Sequence, residues 1–144
     1  MLRSAVAVFA GLVLISAIVE SLEFALVSLV NRGVTTDPDV YFSVRNQPLF
    51  LAAKCVYNTA GAIAGGWLTA WLARRAPVTH GMVLAVIQTA AFGWAVANPA
   101  LRQSTPDWMW ACLIGLTFAG IMAGSLLQRR RAARLPSRFS RRAG

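Results

Sequence analysis

Hydrophobic residues in this chain come in four long blocks rather than in short alternating stretches. Residues 4–30, 49–73, 78–97 and 107–128 are predominantly apolar. A bilayer core takes about 20 helical residues to cross, and each block reaches that length. The breaks between the blocks are polar and hold prolines. They read NRGVTTDPDVYFSVRNQP, then RRAP ending in Pro77, then NPALRQSTPD with Pro99 and Pro106. Proline closes one helix or opens the next. The pattern predicts an all-α polytopic membrane protein: four antiparallel transmembrane helices within 1–128, then an arginine-rich cytoplasmic tail, 129–144. A cleaved signal peptide is not expected, because the first apolar run is too long and no A-x-A site follows it.

Composition strengthens the membrane reading. Of 144 residues, 57% are hydrophobic and 13% charged, where a soluble domain carries about a quarter charged residues. Mean hydropathy is +0.57. The net charge of +9 is lopsided, since seven of the 14 basic residues follow Gln128. Basic residues gathered in a tail do not line a folded face, so nucleic acid is not an expected partner. Arginine bias sets the orientation. Arg3, Arg74, Arg75 and the tail fall on one side, and Arg32, Arg45 and Arg102, with Asp37, Asp39 and Asp107, on the other. Both termini are therefore expected in the cytoplasm. Trp94, Trp108 and Trp110 near the outer ends, with Trp67 and Trp71 near the inner end of the second span, form two interfacial belts. Alanine, glycine and arginine usage, with Lys54 the only lysine, suggests a GC-rich bacterial genome.

Two carboxylates interrupt the first block, in AIVESLEFALV. At ~1.5 Å per residue, Glu23 lies ~10 Å and Glu20 ~15 Å below the outer end of that span. Counted from the outer end of the second span, Lys54 lies ~7 Å and Asn58 ~13 Å deep. The levels pair Glu23 with Lys54 and Glu20 with Asn58. A charge alone at the bilayer centre costs ~2.5–3.5 kcal/mol on insertion scales, so a Glu23–Lys54 contact is expected. Glu20 has no such obvious partner. Asn58 or Tyr57 donating to it, a wet crevice, and a protonated carboxyl are the three options. The cluster then has two readings: an ion pair that fixes helix register, or a proton- or cation-coupling site. Transport pathways draw polar residues from several helices at the midplane. The third and fourth spans offer only Gln88, Thr89 and Thr117.

Small residues recur every fourth position at Gly61 and Gly65, Ala62 and Gly66, and Gly120 and Gly124. Such grooves let helix backbones approach closely. They serve packing inside the bundle or docking onto a helix of another protein. The tail arginines, Arg129, Arg130, Arg131, Arg134, Arg138, Arg141 and Arg142, suit anionic lipid or an acidic partner. Cys55 and Cys112 lie at similar depth and read as free apolar thiols, without a disulfide framework or metal spacing. His80, the only histidine, is expected to hydrogen-bond near the start of the third span. A single axial imidazole is also enough to hold a haem or chlorophyll, so pigment or haem is the one cofactor option, with none otherwise expected. No Ser-His-Asp or Cys-His set is present, so an enzyme is not expected.

Residues 60–88, AGAIAGGWLTAWLARRAPVTHGMVLAVIQ, resemble small four-span bacterial inner-membrane proteins of uncharacterised function in their glycine-rich helix, basic turn and His-Gly helix start. The resemblance implies a polytopic inner-membrane protein and carries no activity or site. The expected role is a non-catalytic accessory subunit of a larger complex, respiratory or photosynthetic, with other transmembrane subunits and lipids as partners. The alternative is a small proton- or cation-coupled transporter or channel using Glu20 and Glu23.

Overall fold

A computed structural model describes residues 2–73 and 75–140, with side chains for 3–73 and 75–134. Its elements are α1 (Leu2–Val30), α2 (Pro38–Arg45), α3 (Pro48–Ala73), α4 (Pro77–Ala97), α5 (Pro99–Arg102) and α6 (Asp107–Ser140). There is no strand among the described residues. Four of the six helices begin at a proline, whose fixed φ suits the first turn and whose missing N–H costs nothing there. Asp37 caps α2 by accepting from Asp39 N–H at 2.9 Å, and Asn98 caps α5 by accepting from Ala100 N–H at 3.1 Å.

Three helices are long and apolar enough to cross a membrane: Arg3–Val30, Pro77–Ala97 and Asp107–Arg134. α3, with 26 residues, has the length too. It is less apolar because it carries Lys54, Tyr57 and Asn58 among its glycines. Those polar groups are buried, and α3 occupies the centre of the bundle between α1 and α6. α4 closes the bundle against α6 and, more lightly, against α3 and α1.

Two features differ from the sequence reading. Residues 31–47 and 98–106 are not plain loops, since each holds a short helix that the polar composition concealed. The helix expected to stop near 128 also runs on to Ser140; arginine and alanine, good helix formers, fill it as far as Pro136.

Glycines set the closest crossings. A Cβ on Gly65 would lie 2.9 Å from the carbonyl oxygen of Gly11, and one on Gly11 would lie 3.0 Å from that of Gly65. Gly66 sits directly on the backbone of Ile121, and a Cβ on Gly124 would lie 2.8 Å from Trp67 N. Gly120 faces Ala62 and the Thr59 carbonyl, and Gly61 faces Ile18 and Val19. Gly81 of α4 lies against Ser125. Hydroxyls reinforce these crossings: Ser125 Oγ donates to Gly66 O at 3.2 Å and Thr69 Oγ1 to Ala7 O at 3.2 Å. The grooves on α3 and α6 are thus filled from within the bundle, and the reading that they await a helix of another protein is corrected. Gly11 and Gly81 complete the set, each with a buried alanine four residues away, Ala7 and Ala85.

At one end of the bundle, an apolar layer of Val8, Ile15, Ala62, Leu84, Ala85 and Ile121 joins all four long helices. Towards the other end the interior turns polar. Asn46 Nδ2 donates to Ser104 O at 3.2 Å, so the segments carrying α2 and α5 meet there. The start of α1 and the start of α4 lie at the opposite end.

Candidate functional site

The polar interior is organised around Glu23, which is 5% exposed. Lys54 Nζ lies 2.7 Å from Oε2, and Tyr57 OH donates to the same oxygen at 3.1 Å. Arg45 Nε lies 2.8 Å from Oε1, and Tyr41 OH donates to that oxygen at 3.2 Å. The Arg45 Nε–H is not aligned for a hydrogen bond, so this contact is ionic. A carboxylate has about four lone-pair directions, and each oxygen of Glu23 has two partners.

Three elements deliver these groups. α3 supplies Lys54 and Tyr57 from adjacent turns of one helix face. α2 supplies Tyr41 and Arg45, four residues apart, from a helix seated on the bundle by Val27, Val44 and Phe50. The Arg45 guanidinium also lies 5.5 Å from the centre of the Phe42 ring. Burial pushes the Tyr41 phenol up to about 12, and the charge and hydrogen bond of Glu23 add to that rise.

Beside the cluster is a cavity of about 180 Å³. Ser16, Glu20, Glu23, Arg45, Lys54, Asn58 and Gln88 are its polar lining, and Phe92 and Trp110, in edge-on contact with centroids 6.3 Å apart, form part of its wall. It has room for about six waters at ~30 Å³ each. Ile15, which belongs to the apolar layer, stands in its wall.

Glu20 is exposed. It makes no ion pair or hydrogen bond among the described residues and lines the cavity, the wet crevice among the options for it. The expected Glu20–Asn58 pairing is corrected: Asn58 Nδ2 donates to Thr117 Oγ1 of α6 at 2.6 Å. Tyr57 serves Glu23 rather than Glu20. Gln88 reaches the cavity from α4, and Thr89 is half-buried.

The remaining candidates lie elsewhere. His80 is half-buried, with Nδ1 3.0 Å from Ala76 O at the start of α4. Cys55 and Cys112 are free and half-buried. Arg129, Arg130, Arg131 and Arg134 are exposed on the C-terminal part of α6. Arg138 lies on the same helix, with its side chain outside the described part, and Arg141 and Arg142 lie outside the described residues. At the α5–α6 junction, Arg102 forks onto Asp107, with Nε and Nη2 at 2.9 and 3.0 Å from the two carboxylate oxygens. That hydrogen-bonded pairing raises the Arg102 pKa further.

Sequence reasoning missed Tyr41 and Arg45 as partners of Glu23. The available signal was the Asp-Pro start of a helix at 37–38, which puts residues 41 and 45 on one face.

The chemistry divides between the two carboxylates. Each oxygen of Glu23 is held by a cation and a tyrosine. Glu20 lines the cavity and has no ion-pair or hydrogen-bond partner among the described residues. Among the described residues no group of three His, Cys, Asp or Glu side chains is placed to hold a metal ion. Compared with family models, curated proteins and solved structures, the chain matches none of them.

Proposed function

We propose that this protein is a four-span, non-catalytic accessory subunit of a larger bacterial inner-membrane complex, with both termini in the cytoplasm, docking a partner through the basic end of α6. The observation that carries this reading is the length of α6. Its 34 residues make a rod of ~51 Å, against a hydrocarbon core of ~30 Å. The excess of ~20 Å exceeds the ~8 Å Debye length of physiological salt. Arg129, Arg130 and Arg131 stand ~33–36 Å along the helix, at headgroup level where anionic lipid attracts them, and the last turns, which carry Arg138, extend beyond the Debye length towards an acidic protein surface. The saturation of Glu23 and the internal use of the glycine grooves agree with a rigid scaffold. α3 serves as the fourth span because its polar groups turn inward onto Glu23 and Thr117 while α1, α4 and α6 surround it.

Native electrophoresis of membranes dissolved in mild detergent tests this. The expected result is a particle far larger than the 15.5 kDa chain, reduced to the chain alone when Arg129, Arg130, Arg131, Arg134 and Arg138 are replaced by Gln. A lone chain from native membranes overturns the subunit reading. A large particle indifferent to these substitutions overturns docking through α6.

The cavity supports a second reading, a proton- or cation-coupled transporter in which Glu20 is the titrating group and Glu23 holds the helices in place. It calls for pH-dependent flux in liposomes that Glu20→Gln abolishes while the fold survives. Flux equal to that of empty liposomes overturns it.

A further inference from the structure

The cavity beside Glu23 opens sideways, between α1 and α4. Its exposed lining residues are Ser16 and Glu20 of α1, and its α4 residues, Gln88, Phe92 and Ala95, are half-buried. The far side is closed, since Lys54 and Asn58 of α3 and Trp110 and Leu113 of α6 are buried. α1 and α4 are both long and apolar enough to cross a membrane, so the opening faces hydrocarbon rather than water. Glu20 lies ~15 Å from the C-terminal end of α1 and Gln88 ~14 Å from that of α4, near the midplane of a ~30 Å core. We propose that the cavity binds the head ring of a lipid-soluble quinone, whose tail leaves between α1 and α4.

Size and shape suit one ring. The cavity holds about 180 Å³, and an apolar cavity of ~150 Å³ takes up benzene. Phe92 and Trp110 supply aromatic wall, and Trp110 is fixed by donating from Nε1 to Arg102 O at 3.3 Å.

Unmet donors call for carbonyl oxygen. Lys54 is 4% exposed and carries three N–H groups, of which Glu23 takes one. The others, like Arg45 Nε, have no acceptor among the described residues. Buried donors seek an acceptor, and a ring carbonyl beside Lys54 provides it. The Gln88 amide, which makes no hydrogen bond among the described residues, donates to the carbonyl on the other side of the ring. Glu20, at the opening, accepts from the hydroxyl of the reduced quinol.

Charge and depth separate a quinone from a phospholipid. The lining has two cationic side chains, Arg45 and Lys54, and two acidic ones, Glu20 and Glu23. That balance suits an uncharged ligand. A phosphate and ammonium headgroup belongs outside the hydrocarbon core, and reaching Glu20 would draw it ~15 Å inward. Quinone uptake depends neither on partner docking nor on ion flux, so neither of those outcomes decides it.

The test places the full-length chain in phosphatidylcholine nanodiscs and titrates decylplastoquinone, with protein-free discs as the partition reference. The expected result is saturable uptake of one quinone per chain above partition, with a raised unfolding midpoint. Decylbenzene, which has the ring and tail without the carbonyls, is expected not to compete. Ser16→Trp, on an exposed position at the opening, is expected to abolish saturable uptake. Gln88→Leu is expected to weaken binding by about threefold to tenfold. Circular dichroism and the ligand-free midpoint of each variant establish that the bundle is intact. Uptake equal to that of protein-free discs, competition by decylbenzene, or either variant binding as tightly as wild type would each overturn the site. Displacement of the quinone when phosphatidylethanolamine is added to the discs would overturn it in favour of a lipid headgroup.

Discussion

Glu23 of α1 and Lys54 of α3 meet at 2.7 Å with only 5% and 4% of their surfaces exposed. Removing one partner of a buried pair leaves a charge that neither water nor protein solvates, at a cost of ~3–5 kcal/mol. The two sides are not equivalent here. Lys54→Met leaves Glu23 its contact with Arg45 and its two tyrosines. Glu23→Gln leaves Lys54 and Arg45 facing each other without an anion, and is expected to cost more. The double variant is expected to recover part of the loss. Thermal unfolding in detergent measures all three. Asp107→Asn, at the exposed pair with Arg102, is expected to unfold within error of wild type, because water already solvates both charges.

Depth counting along two antiparallel helices was enough to bring Glu23 and Lys54 to one level, because helical rise is nearly constant. It was not enough to find Arg45 and Tyr41. They come from α2, a short helix in a polar segment whose approach to α1 depends on tertiary contacts of Val27, Val44 and Phe50. The same limit explains Asn58. Its depth matched Glu20, but depth says nothing about direction around the helix axis, and the amide turns to Thr117 of α6 instead. The glycine spacing on α3 and α6 was legible. Its use inside the bundle was not, because the facing residues, such as Ile121 and Ile63, carry no signature of their own.

Tyr41 gives the site a measurable alkaline limit. Its phenol rises to about 12 from an ordinary value of 10.0, through burial first and the Glu23 charge second. The folded state therefore holds this proton where the unfolded state releases it. The contribution to stability is complete below pH 10 and is lost as the pH climbs through 12. Tyr41→Phe is expected to remove a late phenolate step from the ultraviolet titration. Persistence of the whole late signal in that variant would place it on another residue.

Ala76 holds the turn before α4 in the left-handed region, with φ 48° and ψ 54°. A Cβ there crowds the following carbonyl by roughly 1–2 kcal/mol, a strain that glycine avoids at some entropic cost. Ala76→Gly is expected to raise stability by up to about 1 kcal/mol, and Ala76→Val to lower it, since a β-branched side chain fits that conformation worst. Unfolding midpoints of the two variants check the opposite signs, and a shift in the same direction for both would show that the turn is unstrained.

Gly66 and Gly93 isolate what glycine does in this bundle. Both are mid-helix, where alanine is intrinsically favoured by ~0.5–1 kcal/mol. Gly93 of α4 has open space where a Cβ would go, so Gly93→Ala is expected to be neutral or stabilising by about that amount. At Gly66 the added carbon would fall on the backbone of Ile121, which cannot rotate aside as a side chain tip would. Gly66→Ala must therefore push α3 and α6 apart, loosening the Ser125–Gly66 hydrogen bond and the contacts of Gly120 and Gly124 with α3. Overpacking of this kind costs ~1–3 kcal/mol, outweighing the helical gain. Thermal unfolding of the two variants side by side measures the contrast. Equal stabilities would mean that the α3–α6 crossing is looser than its backbone contacts require.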